Sequence, residues 1–234
     1  MQRLLASKKL LLILDLDHTV LNSSKIVDVP EEAGKKLVEG LSRQVGAGPE
    51  AAGTEQLFHL PHIGMWTKLR PFTHEFLRGA AELFEMYIYT MGESGYATEM
   101  ASILDPTGKL FDGRIISRSD SSTKGAKDLD VVLGADSTVV ILDDTEGVWP
   151  RHQKNIVKVD RYHYFPSSVQ AFRLKHKALL DMNVDESNSG GLLAAMLRVR
   201  SLASRCSPHA WRSVAARCPL QMNRPQEGRR SEYC

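Results

Sequence analysis

The 234-residue chain reads as an α/β protein, a parallel sheet flanked by helices with a small inserted flap, and three observations say so. Short apolar runs alternate with helix-period segments, the order that builds βαβ units. The run Leu10–Leu14 is apolar at every position, as a strand buried on both faces requires; a strand with one wet face would alternate. Composition is globular, since 42% hydrophobic and 25% charged residues exclude collagenous and wholly disordered chains. No apolar run approaches the roughly 18 residues that span a bilayer, so no membrane is expected among the partners.

Taken in order, the first strand is followed by a polar stretch from Ser23 to about Thr67, with GAGPEAAG in its middle. Residues 24–65 of it read as the inserted flap, too poor in apolar side chains for a core of its own. Pro71 is expected to open a helix at its favoured first position, with Phe72, Phe76, Ala80 and Leu83 or Phe84 along one face. Met86–Thr90 reads as the next strand and Ser94–Leu104 as a helix stopped by Asp105-Pro106. A short strand is expected at Arg114–Ser117, the clearest one at Thr138–Leu142, a weaker one at Asn155–Val159, and a helix over Ser167–Met182. These elements define a catalytic unit over residues 1–187. In residues 188–234, SNSGG precedes a short helix over Leu192–Leu202, and the rest lacks any period, so disorder is expected there.

A net charge of +2 names no partner, but it hides an asymmetry. From Arg198 onward there are eight arginines and two glutamates, leaving 22 basic against 26 acidic residues before it. The arginines are scattered and no recognition helix accompanies them, so direct nucleic-acid binding is not expected. All three cysteines (Cys206, Cys218, Cys234) lie in this tail, with neither a disulfide framework nor zinc-ribbon spacing, and a reducing compartment follows. The run Leu10–Leu14 stops at Asp15, shorter than the about 7–15 apolar residues of an export signal.

The densest chemical signal is LDLDHTVLNS, Leu14 to Ser23. Asp15 and Asp17 leave the carboxyl end of a buried strand, where open α/β sheets place ligands. Residues two apart in extended chain point the same way, so both carboxylates reach one small volume. Their repulsion costs energy unless a cation or a shared proton relieves it. Alone, such a pair is more often two loop carboxylates facing water. Four further features weigh the other way. Thr90 ends the second strand ahead of the permissive Gly92, and Lys127 stands before the strand that Asp143-Asp144 close. Thr19 is placed to bond the loop backbone and lock the Asp15/Asp17 geometry. Each is weak alone; in chain order, at or just before strand ends, they compose one site.

With these residues in place, the chain resembles the haloacid-dehalogenase superfamily of aspartyl-phosphate phosphatases, whose DxDxT motif stands here as Asp15-Leu16-Asp17-His18-Thr19. More narrowly it resembles the phosphatases of the RNA polymerase II carboxy-terminal repeat domain, plant members above all. The likeness runs from about Lys9 to Ser187 and is carried by LDLDHTVLNS, TKLRPF, FEMYIYTMG, ISR, KDLDVVLG, VILDDTEGVWP and RYHYFPSS. It implies a Rossmann-like haloacid-dehalogenase fold and Mg²⁺ as cofactor. It also implies Asp15 as nucleophile and Asp17 as acid/base, with Thr90 and Lys127 on the phosphoryl oxygens and Asp15, Asp17, Asp143 and Asp144 around the metal. Thr19 and Arg118, the latter in ISR, are implied on the substrate side. The implied partners are the phosphorylated repeat domain of the polymerase and general transcription factors, in the nucleus. Full-length relatives usually carry a BRCT domain after the catalytic one, and the Arg/Ser tail here does not match it.

Physical chemistry runs the same way. A phosphate dianion repels a carboxylate nucleophile, so positive charge must converge on the site, and Mg²⁺ suits one or two carboxylates. Asp15, with a reference pKa of about 3.9, is expected to be ionised at neutral pH. A serine alkoxide leaves poorly, so a protonated Asp17 is needed to deliver a proton to it. Two other functions stay open: a small-molecule phosphatase, against which the lack of a large cap argues, and a catalytically impaired peptide-binding module, against which the intact Asp15, Asp17, Thr90, Lys127, Asp143 and Asp144 argue. Trp149, Tyr162, Tyr164 and Phe165 read as core more readily than as a peptide-docking groove.

Overall fold

A computed structural model of the chain describes residues 9–46, 56–132 and 138–203. The three cysteines and the expected disorder of the tail lie outside the described residues, as does most of GAGPEAAG. Strand β1 (Leu10–Leu14) is central in a five-stranded parallel sheet. It pairs with β5 (Phe84–Tyr89) on one side and β7 (Val139–Asp143) on the other. The edges are β6 (Ile115–Ile116), beside β5, and β8 (Ile156–Lys158), beside β7. The chain fills one side of β1 and then returns to fill the other. That reversal opens a crevice at the carboxyl ends of β1, β5 and β7.

The unbroken apolar run of β1 is explained by burial on both faces. Leu12 and Leu14 enter a cluster with Phe76, Met100 and Leu104, while Leu11 and Ile13 face Tyr89, Leu129 and Trp149. Phe76 belongs to α2 (Thr73–Ala80) and Met100 to α3 (Ser94–Leu104), so helices cover the first face. The second face is covered by loops and short 3₁₀ turns around Leu129 and Trp149.

The insert is more regular than expected. It is an antiparallel sheet in the order β2 (Leu21–Lys25), β4 (Met65–Leu69), β3 (Leu57–Leu60), with helix α1 (Glu31–Gly46) before β3. Gly34, Gly40 and Gly46 lower the intrinsic helix propensity of α1 and hid it from sequence. Burial of Ala33 and Leu37 outweighs that cost. The insert's small core is shared: Ala33, Leu37, Leu57 and Trp66 pack with Phe165 and Leu180 of the main body.

Two helix expectations need correction. Pro71 does not open a helix; Phe72 adopts a left-handed φ of 72°, and α2 begins at Thr73, whose hydroxyl donates to the Arg70 carbonyl at 2.6 Å. The turn keeps Arg70 buried, where its guanidinium donates to the carbonyls of Thr19 and Asp160, both at 3.0 Å, and to the Glu186 carboxylate. The second, Ser167–Met182, is two short helices, α4 (Pro166–Ala171) and α5 (Leu179–Met182). Arg173, at a φ of 53°, ends the first in the left-handed conformation common after helix ends.

The sequence placed the end of the catalytic unit at residue 187 and a short helix beyond it. That helix is present as α6 (Leu192–Ala203), and Leu192, Leu193 and Met196 are buried in the cluster that contains Leu12 and Phe76. Removing large core side chains costs about 2–5 kcal/mol each. A chain ending at Ser187 is therefore expected to melt well below one ending at Ala203 in circular dichroism; equal melting temperatures would exclude α6 from the folded unit.

Candidate active site

The crevice at the strand ends is lined by Asp15, Asp17, His18, Thr90, Lys127 and Phe172, among others. Asp15 follows β1 directly, and its N–H donates to the Leu142 carbonyl at 3.0 Å, which continues the sheet ladder into the site. The chain then folds into a tight loop. The Leu16 carbonyl accepts from the N–H groups of Thr19, Val20 and Leu21 at 3.2, 3.1 and 3.2 Å, while His18 takes a left-handed φ of 64°. Thr19 was expected to bond the loop backbone through its side chain. Instead its hydroxyl donates to Asp15 Oδ2 at 3.2 Å, fixing the carboxylate itself.

Lys127 is the hub. Its ammonium is buried and donates to Asp15 Oδ1 at 2.5 Å and to Asp143 Oδ2 at 2.8 Å. The Tyr89 and Trp149 rings lie under it, each 5.7 Å away. Asp143 also accepts from Trp149 Nε1 and from the Thr145 N–H, both at 2.8 Å. Asp144 is bonded by the Thr145 hydroxyl at 2.8 Å and paired with the Arg161 guanidinium. Asp15, Asp143 and Asp144 each bring a carboxylate oxygen within 4.8 Å of the others.

Burial pushes the Asp15 carboxyl up to about 8; Lys127 opposes this and Asp143 adds to it. The reference value of Asp15 contains no burial; here desolvation works against its ionisation and Lys127 works for it. Burial likewise raises Asp17, against the hydrogen bond from Tyr96. Lys127 is pulled down by burial, but the charges of Asp15 and Asp143 more than offset it and hold it above its ordinary value. Two of the three buried carboxylates share one ammonium, and the third is paired with Arg161. Their all-oxygen donor set fits a hard divalent cation.

The family model described as NLI interacting factor-like phosphatase matches residues 10–182. The chain belongs to this family. An Arabidopsis thaliana relative named RNA polymerase II C-terminal domain phosphatase-like 4 is 47% identical over 193 residues, covering 82% of this chain and 43% of its own. A Schizosaccharomyces pombe relative, also named as a C-terminal domain phosphatase of RNA polymerase II, is 37% identical over 172 residues, 70% of this chain and 22% of its own. The solved structure of Fcp1, titled an essential RNA polymerase II CTD phosphatase, superposes with a TM-score of 0.56 at 29% identity, over 98% of this chain and 57% of that one. The expected family and fold are thereby borne out. The chain spans less than half the length of these two curated relatives.

Around the hub of this NLI interacting factor-like domain, Thr90 accepts the Gly92 N–H at 2.9 Å on its hydroxyl oxygen, which leaves the hydroxyl hydrogen free to point elsewhere. Gly92 is required by close approach, since a Cβ there would lie 2.8 Å from Tyr96 Cδ1. Arg118 lies away from the Lys127 hub. Its exposed guanidinium pairs with Glu93 at the head of α3, and only its backbone N–H reaches inward, to the Gly92 carbonyl at 3.0 Å. Trp149, Tyr162 and Phe165 are buried in the core, with Trp149 doubling as a donor to Asp143, while Tyr164 is half-buried.

Sequence reasoning missed Tyr96, Phe172 and Arg161. Tyr96 donates to Asp17 Oδ1 at 2.7 Å, and Phe172 lies edge-on to His18 with ring centroids 5.0 Å apart. Arg161, besides pairing with Asp144, stacks 4.3 Å over the Phe172 ring. The one available signal was Tyr96, four residues after Gly92 in a helix whose other inward positions are small or aliphatic.

Deleting one partner of a buried ion pair strands the other and costs about 3–5 kcal/mol. Lys127→Met is expected to lose stability on that scale in urea unfolding, since it strands Asp15 and Asp143 together. Adding Asp15→Asn should recover part of the loss. No recovery would mean that Lys127 stabilises by packing rather than by charge.

Proposed function

We propose that this domain is a Mg²⁺-dependent protein serine phosphatase that dephosphorylates the heptad-repeat C-terminal domain of RNA polymerase II through an aspartyl-phosphate on Asp15. The observation that carries the proposal is Lys127 bridging Asp15 and Asp143, with Asp144 within the same few ångströms. Asp15, Asp143, Asp144 and the main-chain carbonyl of Asp17 are the groups that would hold Mg²⁺. When bound, the ion supplies the positive charge that lets a carboxylate approach a phosphate dianion and that stabilises the phosphoryl oxygens.

The chain's own residues do the rest. Thr19 and Lys127 fix the two oxygens of Asp15, so the carboxylate meets the phosphorus in one orientation. As the bond from Asp15 to phosphorus forms, the bond from phosphorus to the serine oxygen breaks, and Asp17 passes its proton to that oxygen. Thr90 and Lys127 face the same crevice and meet the oxygens that gain charge. In the second step a water attacks the phosphorus, its proton goes back to Asp17, and inorganic phosphate and the Asp15 carboxylate are released. Two easier displacements replace one hard one.

Two facts support a protein substrate. The relatives are named as phosphatases of the RNA polymerase II C-terminal domain, and the insert packs on Phe165 and Leu180 rather than standing as a separate cap that would enclose a small molecule. The exposed guanidinium of Arg118, paired with Glu93 through one nitrogen, has further N–H donors to offer a substrate phosphate. Nuclear location and work alongside general transcription factors belong to the same proposal.

Phosphate release from singly phosphorylated repeat peptides, compared with sugar and nucleotide phosphates, tests it. Activity is expected on the peptides, with loss under chelation and return with Mg²⁺; preference for the small phosphates would overturn the substrate assignment. Asp15→Asn should abolish turnover in a folded protein, and near-wild-type activity would exclude the covalent route. Asp17→Asn should slow phosphoserine release by about 10²–10⁴-fold and spare p-nitrophenyl phosphate part of that, because its leaving group scarcely needs a proton.

A further inference from the structure

Asp17 differs from the other site carboxylates in its partners. Asp15 and Asp143 share Lys127, and Asp144 is paired with Arg161. Among the described residues, the Asp17 carboxylate accepts one side-chain hydrogen bond, from the Tyr96 hydroxyl to Oδ1 at 2.7 Å. The phenol is itself held. Ser23 Oγ lies 2.8 Å from the Tyr96 hydroxyl and 2.8 Å from Thr67 Oγ1. A phenol that donates to a carboxylate has its lone pairs left to accept with, so with Tyr96 donating to Asp17 the Ser23 hydroxyl is the donor to Tyr96, while the Thr67 hydroxyl stands between Ser23 and Met100 Sδ, 3.7 Å away.

We propose that Tyr96 is the positioning residue of the acid/base Asp17, confining the catalytic proton to Oδ2 by keeping Oδ1 occupied as an acceptor. A carboxylic acid has two oxygens and one proton. If either oxygen may carry it, half of the acid's orientations present an acceptor to the leaving group. A donor fixed on Oδ1 makes protonation there a clash of hydrogens, so the proton sits on the oxygen left to the crevice. The donor stands on rigid elements: Tyr96 is in the first turn of α3, and Ser23 and Thr67 are paired neighbours in β2 and β4. Gly92 serves the same arrangement, because any larger residue would press on the Tyr96 ring. Two strands of the insert thus take part in the chemistry of the main sheet, through hydroxyls rather than by covering the crevice.

The inference rests on the phosphatase reading above, and its test separates the two. Wild type, Tyr96→Phe and Ser23→Ala, all as the full chain, are assayed on a phosphoserine repeat peptide and on p-nitrophenyl phosphate, with melting temperatures as the folding control. Tyr96→Phe keeps the ring and removes only the donor. It is expected to lower kcat on the peptide about tenfold more than on p-nitrophenyl phosphate, a part of the full contribution of a general acid, with little change in KM. Ser23→Ala, which removes the group feeding Tyr96, should shift the same ratio in the same direction by less. Equal losses on both substrates, or a change confined to KM, would overturn the positioning role while leaving the phosphatase reading intact. A wild-type protein that releases no phosphate from either substrate would overturn both. Should Tyr96→Phe fail to fold, an unchanged substrate ratio in Ser23→Ala overturns the inference by itself.

Discussion

The ammonium of Lys127 between Asp15 and Asp143 is the contact on which the site depends. Two carboxylates from adjacent parallel strands end at the same crevice, and a third follows one of them. Without a fixed cation that convergence is electrostatically untenable in a desolvated place. A well-packed apolar cluster there would serve folding as well or better, because buried ion pairs seldom repay their desolvation. Burial pushes Asp15 up against the pull of Lys127, and the carboxylates of Asp15, Asp143 and Asp144 offer an all-oxygen set to a hard divalent cation.

Holding such charges in place takes rigidity, and it comes from backbone groups rather than from side-chain packing alone. The Leu16 carbonyl gathers three N–H groups of the loop that follows Asp15. Behind it, Arg70 ties the Thr19 carbonyl to the Asp160 carbonyl and to Glu186, so parts of the chain far apart in sequence close on one buried guanidinium. Planar, multiply donating Arg suits this place, and a lysine could not span the same set of acceptors. The left-handed turn at Phe72 is the local strain that this placement of Arg70 entails.

How much of this was legible in the sequence follows from the range of each interaction. The strands of the parallel sheet are apolar at successive positions, a local pattern, and they fall where expected within a residue or two. Asp15, Asp17, Thr90, Lys127, Asp143 and Asp144 were legible because strand ends in an open α/β sheet share one crevice. Helix α1 was not, since its glycines argue against a helix and its burial depends on Phe165 and Leu180 over a hundred residues away. The left-handed Phe72 and Arg173 carry no residue-type signal, as either side chain is rare there. The upward push on Asp15 was not legible for a related reason: a reference pKa contains no burial, and burial here is the largest influence.

In the reaction proposed for this domain, Asp15 and Asp17 take opposite tasks with identical side chains two residues apart. Environment separates such pairs, and the acid/base roles follow from the separation. Both are raised by burial, so desolvation alone does not distinguish them. Their partners do. Asp15 faces an ammonium and the acidic cluster, where any added cation favours its charged, nucleophilic form. Asp17 faces a phenol, a neutral donor that orients a carboxyl group without demanding that it ionise. A lysine in the place of Tyr96 would hold Asp17 as a carboxylate and, in the proposed reaction, deprive the leaving group of its proton. A phenylalanine would leave the carboxyl free to turn. The site therefore needs both the charge on Lys127 and the absence of charge on Tyr96, and the second requirement is the one that no motif in the sequence announces.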